Sequence, residues 1–328
     1  NTISAGLQSR DVNVRDICIE IVEILFQSQS ASVGLFFLTD FLDLMRKSAA
    51  KKLADSKNTD EIVANLKLLQ ILLKQRPFMS ASLASDLLFP VCSQRINSPN
   101  FEIMMYSIDT ILFLHESNTI PTEPALVRSI ISQLFQVSPK QPPGIERLFS
   151  SVISHYPDII RSNLPEIING FNFLLKIPKN AGPQMVFRLV VETIKIVNNN
   201  EQLNQLFQIV NEILDVSTVP IPIYFLVKAL NESKPDWNTS LRRYKQYLIR
   251  MIHELLNEPS LRWEAVVISF NALDEIHNIS YPDAVMLHSL VMSPRFVENT
   301  DWQIREKVAE TAIHVFHSNV SRMPLESM

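Results

Sequence analysis

The sequence predicts an all-α protein of stacked antiparallel helix pairs, and three observations carry that expectation. Two distant segments, Asp11-Val12-Asn13-Val14-Arg15 and Asp301-Trp302-Gln303-Ile304-Arg305, read alike: an acid, two intervening residues, a β-branched aliphatic and an arginine. Between them, breaks into apolar-periodic sequence fall near Asp60, Asn100, Pro143, Gly182, Pro220 and Ser260, a period of about 40 residues that suits stacked helix pairs. Only five of 328 residues are glycine, against roughly 7% in ordinary proteins, as expected where glycine would weaken helices.

Taken in order, the first motif helix starts after Asp11. Val14, Ile17, Cys18, Ile21 and Leu25 form its inward stripe, with Asp16, Glu20 and Glu23 opposite. The last repeats this with Ile304, Val308, Ala312 and Val315 inward and Glu306 and Glu310 outward. Asp11 and Asp301 take N-cap positions, where a carboxylate accepts orphan amide hydrogens.

The intervening motif helices are looser versions. Asp60 opens one through Ile62, Leu66, Leu69 and Leu73, closed by Arg76-Pro77, with Lys67 on the solvent face. Asn100 opens the next, through Ile103, Tyr106, Ile111 and Leu114. Ile145, Leu148, Val152 and Ile153 follow Pro143, and Val186, Leu189, Val190 and Ile194 follow Pro183. Ile223, Leu226, Val227 and Leu230 follow Pro222; Trp263, Val266, Val267, Phe270 and Leu273 follow Ser260. Companion helices are expected over 33–54, 79–96, 122–137, 157–176, 200–216, 240–256 and 282–292, two of them bent at Pro90 and Pro165.

The Asp-x-x-Val/Ile-Arg opening, the proline-bent first helix and the period near 40 resemble HEAT repeats of the armadillo-type class. The resemblance spans the whole chain by period and is specific at Asp11–Arg15 and Asp301–Arg305. At the arginine position the second, third and seventh repeats hold Ala64, Met104 and Glu264 instead. The family implies a right-handed α-α superhelix, here of seven to eight antiparallel helix pairs, and a ladder between aspartates and arginines of neighbouring repeats. It also implies company such as phosphatase scaffolds, vesicle-coat adaptors, nuclear transport receptors and chromosome-organising subunits. On this reading residues 1–328 are a single continuous repeat domain. A chain that opens on Asn1 and enters a helix almost at once reads as a fragment of a longer protein.

Composition narrows function. With 46% hydrophobic and 20% charged residues and a net charge of −4, the chain reads as an ordinary globular protein without a global basic field. No stretch is apolar enough to span a membrane, and no signal peptide leads the chain, which points to the cytoplasm or nucleus. Cys18 and Cys92 sit in apolar helical sequence and read as buried free thiols. The sequons at Asn231, Asn238, Asn278 and Asn319 read as chance triplets.

Nucleotide loops and nucleophile elbows need glycine strings that are absent, so no catalysis and no cofactor is expected. No metal site is expected either. His253-Glu254-Leu255-Leu256-Asn257 lacks the second histidine of a zinc-protease motif, and His314 and His317 have no third ligand nearby in sequence. Two basic clusters remain: Arg46, Lys47, Lys51 and Lys52, and Arg242, Arg243, Lys245 and Arg250, the second interleaved with Tyr244 and Tyr247. Either suits phosphate or an acidic partner, and either also suits a solvated face or helix C-terminus. The Met-rich runs Ile103-Met104-Met105 and Val285-Met286-Leu287 read as packing between repeats rather than docking surface.

The expected function is therefore a non-catalytic scaffold holding protein partners within a larger assembly. The rival is a nucleic-acid-associated scaffold, in RNA processing or chromosome organisation, meeting phosphate through a basic cluster. Lipid attachment ranks last, for want of an exposed apolar face beside the first cluster.

Overall fold

The computed structural model describes residues 6, 9, 11–28, 46–75, 83–117, 120–140, 142–177, 182–216, 221–234 and 236–317. All its regular elements are helical. They form two compact units, Asn1–Ser162 and Asn163–Met328.

The first unit holds α1 (Val12–Ser28), α2 (46–55), α3 (Thr59–Gln75), α4 (Phe89–Arg95), α5 (Phe101–Glu116), α6 (Pro124–Val137), α7 (Ile145–His155) and α8 (Pro157–Ser162). Its motif helices α1, α3, α5 and α7 pack in succession, α4 lies on α5, and α6 on α7 and α8. The second unit holds α9 (Leu164–Leu175), α10 (Gly182–Ile196), α11 (Asn200–Val216), α12 (Ile221–Ser233), α13 (Trp237–Ser240), α14 (Arg242–Asn257), α15 (Trp263–Asp274), α16 (Tyr281–Val291), α17 (Pro294–Val297) and α18 (Trp302–His317). Here α10, α12, α15 and α18 form the motif row; α9 and α11 lie on α10, α14 on α15, and α16 on α18. Each unit is thus a stack of helix pairs, as the period predicts.

The inward stripes explain the stacking. Leu66 and Leu69 on α3, Ile111 and Leu114 on α5, Val186 and Val190 on α10, Leu226 and Leu230 on α12, and Val266 and Leu273 on α15 are all fully buried. Each such side chain contributes about 1.5–3 kcal/mol relative to exposure. Ile304, Val308 and Val315 of α18 are buried as expected, and Glu306 and Glu310 face outward.

The first motif helix departs from expectation. Val14 and Ile17 are 40% and 55% exposed and Ile21 is exposed too, whereas Arg15 and Ile19 are buried. Much of the expected stripe is thus exposed, although α1 packs on α3. The side chains of Glu23 and Leu25 lie outside the described residues, as does the companion helix before residue 46. Cys18 is half-buried rather than buried; Cys92 is buried, and desolvation pushes its thiol up to about 12. Lys67, expected in solvent, is half-buried, its ammonium 6.0 Å from the centre of the Tyr106 ring.

Helix starts follow a recurring cap. Asp11 Oδ1 accepts from the Asn13 amide at 2.9 Å, and Asp301 Oδ1 from that of Gln303 at 2.9 Å. Asn58, rather than Asp60, caps α3, accepting from the Asp60 and Glu61 amides at 2.9 and 3.4 Å. Asn100 caps α5, accepting from the Ile103 amide at 3.2 Å, and a serine two residues earlier braces three of these caps: Ser9 Oγ accepts from the Asp11 amide, Ser56 Oγ from that of Asn58 and Ser98 Oγ from that of Asn100. This Ser-x-Asp/Asn signature is readable in the sequence and marks the turn more sharply than the aspartate alone.

Proline acts at both expected bends. Pro90 has no amide hydrogen for its i−4 carbonyl, and the chain winds as a π-helix over Leu83–Leu88 just before α4. At Pro165 the expected bent helix over 157–176 is instead two helices, α8 and α9, with Pro165 in the first turn of the second.

Candidate partner interface

Each basic residue is positioned by its helix. In the first cluster, Arg46 is fully buried, and its guanidinium donates to the Leu72 carbonyl at 2.7 Å in the last turn of α3. Lys47 and Lys51 are exposed and Lys52 half-buried, and the last two stand in the final turns of α2, where cations suit the helix dipole. In the second cluster Lys245 is buried, donating to the carbonyls of Asn278 at 2.6 Å and His277 at 3.3 Å. Lys245 thereby pins the turn in which Asn278 takes a positive φ of 53°. Arg46 and Lys245 are structural, and sequence proximity alone joined them to the exposed cations.

What remains of the second cluster is coherent. Arg242, Arg243 and Arg250 are all exposed, and helical spacing puts them within about a third of the circumference of α14. Arg243, Tyr247 and Arg250 stand at i, i+4 and i+7 on one stripe. Beside it lies an aromatic stack: the Tyr244 ring is 3.7 Å from Phe207 of α11, nearly parallel, and 5.8 Å from Tyr247. Burial raises the Tyr244 hydroxyl well above its ordinary value, so it stays protonated. Arg242 and Arg243 occupy the first helical turn, where the dipole opposes cations. The helix-end explanation that suits Lys51 and Lys52 therefore does not extend to them.

Elsewhere cations bond helix ends across one repeat. Arg95 donates to the Leu53 carbonyl at 2.6 Å, Lys234 to that of Lys195 at 3.1 Å and Arg295 to that of Leu256 at 2.9 Å, over sequence separations of 42, 39 and 39. Each satisfies an orphan carbonyl near the end of a preceding helix. The motif arginines instead bond locally: Arg15 donates to the Ser9 carbonyl at 2.7 Å and Arg305 to that of Thr300 at 3.1 Å. The family's ladder is thus not what these two arginines make. Asp109 and Arg147 do approach across a repeat, at 3.6 Å.

The remaining candidates are structural. Asn257 donates to the His253 carbonyl at 3.1 Å, and His314 Nε2 donates to the Ile276 carbonyl at 3.1 Å. His317's side chain lies outside the described residues. Among the described residues no group of three or more His, Cys, Asp or Glu could hold a metal ion, and no helix is long and apolar enough to cross a membrane. The Asn231 sequon is committed to packing, its amide donating to Glu275; Asn319 lies outside the described residues. Ile103 and Met104 are buried, as a packing role predicts, while Val285 is 47% exposed.

One buried polar cluster escaped the sequence reading. His115 at the end of α5 hydrogen-bonds the Tyr156 hydroxyl across one repeat, and His155 meets Glu116 at 2.7 Å beside it. Desolvation lowers the His115 pKa from its ordinary 6.5, opposed by the Pro121 carbonyl and Glu123 and helped by the neighbouring His155. The folded protein therefore resists protonation that the unfolded chain accepts. Stability from this site is complete above about pH 6.5 and declines as pH falls through the lowered folded value. Urea midpoints at pH 7.5 and 5.5 are expected to fall further for the wild type than for His115→Gln, which keeps a hydrogen-bonding group without titrating. Equal falls would remove His115 as the cause.

No family model matches the chain, and no curated protein matches it. Among solved structures, an engineered protein from a structural genomics consortium is 11% identical, with 96% of this chain and 77% of that chain covered at a TM-score of 0.52. A designed armadillo repeat protein is 9% identical, with 82% and 98% covered at a TM-score of 0.33. A structure described for tubulin recruitment by microtubule polymerases with TOG domain arrays is 14% identical, with 98% and 78% covered at a TM-score of 0.33. With helix pairs stacked on their neighbours in both units, the chain has an all-α helical repeat fold.

Proposed function

We propose that this protein is a non-catalytic scaffold that binds other proteins along the outward rows of its stacked helices, as a subunit of a larger intracellular complex. One observation carries the reading: the outward rows hold large apolar side chains that a solvated face does not need. Phe225 on α12 and Trp302 on α18 are 55% and 59% exposed, and Phe173 on α9 is exposed as well. Aromatic residues amid polar ones are the usual anchors of protein interfaces. Repeat stacks suit this task, since many modest contacts along a row of similar units add up. The free thiols of Cys18 and Cys92 accord with a reducing compartment, cytoplasm or nucleus.

The test is cross-linking and co-purification of the full-length protein from its cell. A stoichiometric protein partner is expected, and Phe225→Ala with Trp302→Ala should weaken it about tenfold without moving the melting temperature. A chain that purifies alone, or a partner indifferent to both substitutions, overturns the reading.

Arg242, Arg243 and Arg250 also give the rival, nucleic-acid-associated scaffold a specific observation. Lys47, Lys51 and Lys52 add to it, without Arg46 and Lys245. Binding through phosphate would weaken steeply with added salt, roughly in proportion to the number of phosphates neutralised.

A further inference from the structure

We infer that the outward face of α14 is a docking site for a short acidic segment of a partner protein; the inference rests on the protein-binding reading above. The surface consists of Arg242, Arg243 and Arg250, all exposed, with half-buried Gln246 and Tyr247 between them. Among the described residues these three arginines have no carboxylate partner, whereas Arg161 pairs with Asp158, and Lys307 with Asp274 and Glu310. Their place on α14 is not a packing requirement either: Lys245, Leu248, Ile249 and Ile252 fill its buried face. Two of them stand where the helix dipole repels them, which an incoming carboxylate would relieve. The stack of Phe207, Tyr244 and Tyr247 braces α14 against α11 beside the patch, which steadies the helix that carries the arginines.

The borders of the face set the occupant's length. From Arg242 to Arg250 the helix rises about 12 Å, the reach of roughly four extended peptide residues. Exposed Asp236 precedes the patch, exposed Glu254 and Glu258 follow it, and α11 beside it exposes Glu201 and Glu212. A continuous polyanion crossing this ground would meet those carboxylates. Arginine forks match carboxylates in paired hydrogen bonds, so a run of a few Asp or Glu residues is the chemistry that fits.

The test uses the full chain and two fluorescent probes of equal charge, a hexaglutamate peptide and an oligothymidylate, read by anisotropy at low and physiological salt. Hexaglutamate is expected to bind saturably and to bind the triple variant Arg242→Glu, Arg243→Glu, Arg250→Glu at least about tenfold more weakly. The variant should melt no lower than wild type, because glutamate in the first turn suits the dipole. Arg128→Glu, an exposed site on α6, should bind as wild type does.

Absent saturable binding, or a loss no larger than in Arg128→Glu, overturns the inference. So does tighter, equally variant-sensitive binding of the oligothymidylate, which would give the face to nucleic acid. Failure here with the co-purifying partner still sensitive to Phe225 and Trp302 leaves the scaffold reading intact. Loss of that partner's sensitivity, with hexaglutamate still bound, sinks the scaffold reading and spares the acidic site.

Discussion

Replacing Leu69 by aspartate should unfold much of the first unit. The side chain is fully buried on α3, which packs against both α1 and α5. A carboxylate buried there, among Leu66, Leu68, Leu72 and Leu73 of the same helix, must stay charged in a largely apolar layer or take up a proton. Either outcome costs about 4 kcal/mol or more, a large share of the roughly 5–15 kcal/mol that holds a domain folded. The expected reading is a lowered urea midpoint with fast hydrogen exchange across α3 and α5. Lys67→Asp is the internal comparison. Because Lys67 is half-buried over the Tyr106 ring, its loss should cost about 0.5–1 kcal/mol. Asn204→Asp, exposed on α11, should fall within about 0.5 kcal/mol of wild type. Equal losses for Leu69→Asp and Lys67→Asp would refute the packing of α3.

Trp237→Ala should do comparable damage in the second unit. The indole is fully buried in α13, and its Nε1 donates to Asn231 Oδ1 at 2.6 Å. Asn231 in turn donates to the Glu275 carbonyl at 2.8 Å, joining α12 to the end of α15 across one repeat. Truncation removes the largest side chain of this core and the anchor of that bridge, an expected loss of about 3–5 kcal/mol. Trp237→Phe keeps most of the volume but orphans the Asn231 oxygen, which should cost about 1–3 kcal/mol. Chemical denaturation of the three proteins checks the order. A phenylalanine variant as damaged as the alanine one would show that the hydrogen bond, not the volume, holds the site.

Much of this architecture was legible in the sequence because a repeat writes its period many times over. Motif helices after Asn100, Gly182, Pro220 and Asp301 begin where punctuation and apolar spacing placed them. Where expectation failed, the cause was tertiary. The stripe Val14, Ile17 and Ile21 is periodic, but periodicity cannot say which of two apolar arcs meets the next helix. Lys67 reads as solvent-facing from its spacing, yet its ammonium lies over the Tyr106 ring of α5.

The candidate interface was only partly legible for a related reason. A linear cluster of cations mixes positions of different burial around a helix, and burial is what separates Lys245 from Arg242, Arg243 and Arg250. Sequence spacing does contain a clue, since Lys245 stands three residues before Leu248 and seven before Ile252, on the arc that both of them bury. The hydrogen bond between His115 and Tyr156 has no comparable signal, as nothing in either residue's neighbourhood announces a partner one repeat away.

Where Arg95, Lys234 and Arg295 tie off a helix that precedes them by one period, neighbouring modules share a fastening. Strain entering one module is then handed on rather than absorbed, and melting should spread as a front from wherever it begins. Cutting one such tie, for instance by changing Arg295 to methionine, would loosen two modules at once and leave more distant ones tight.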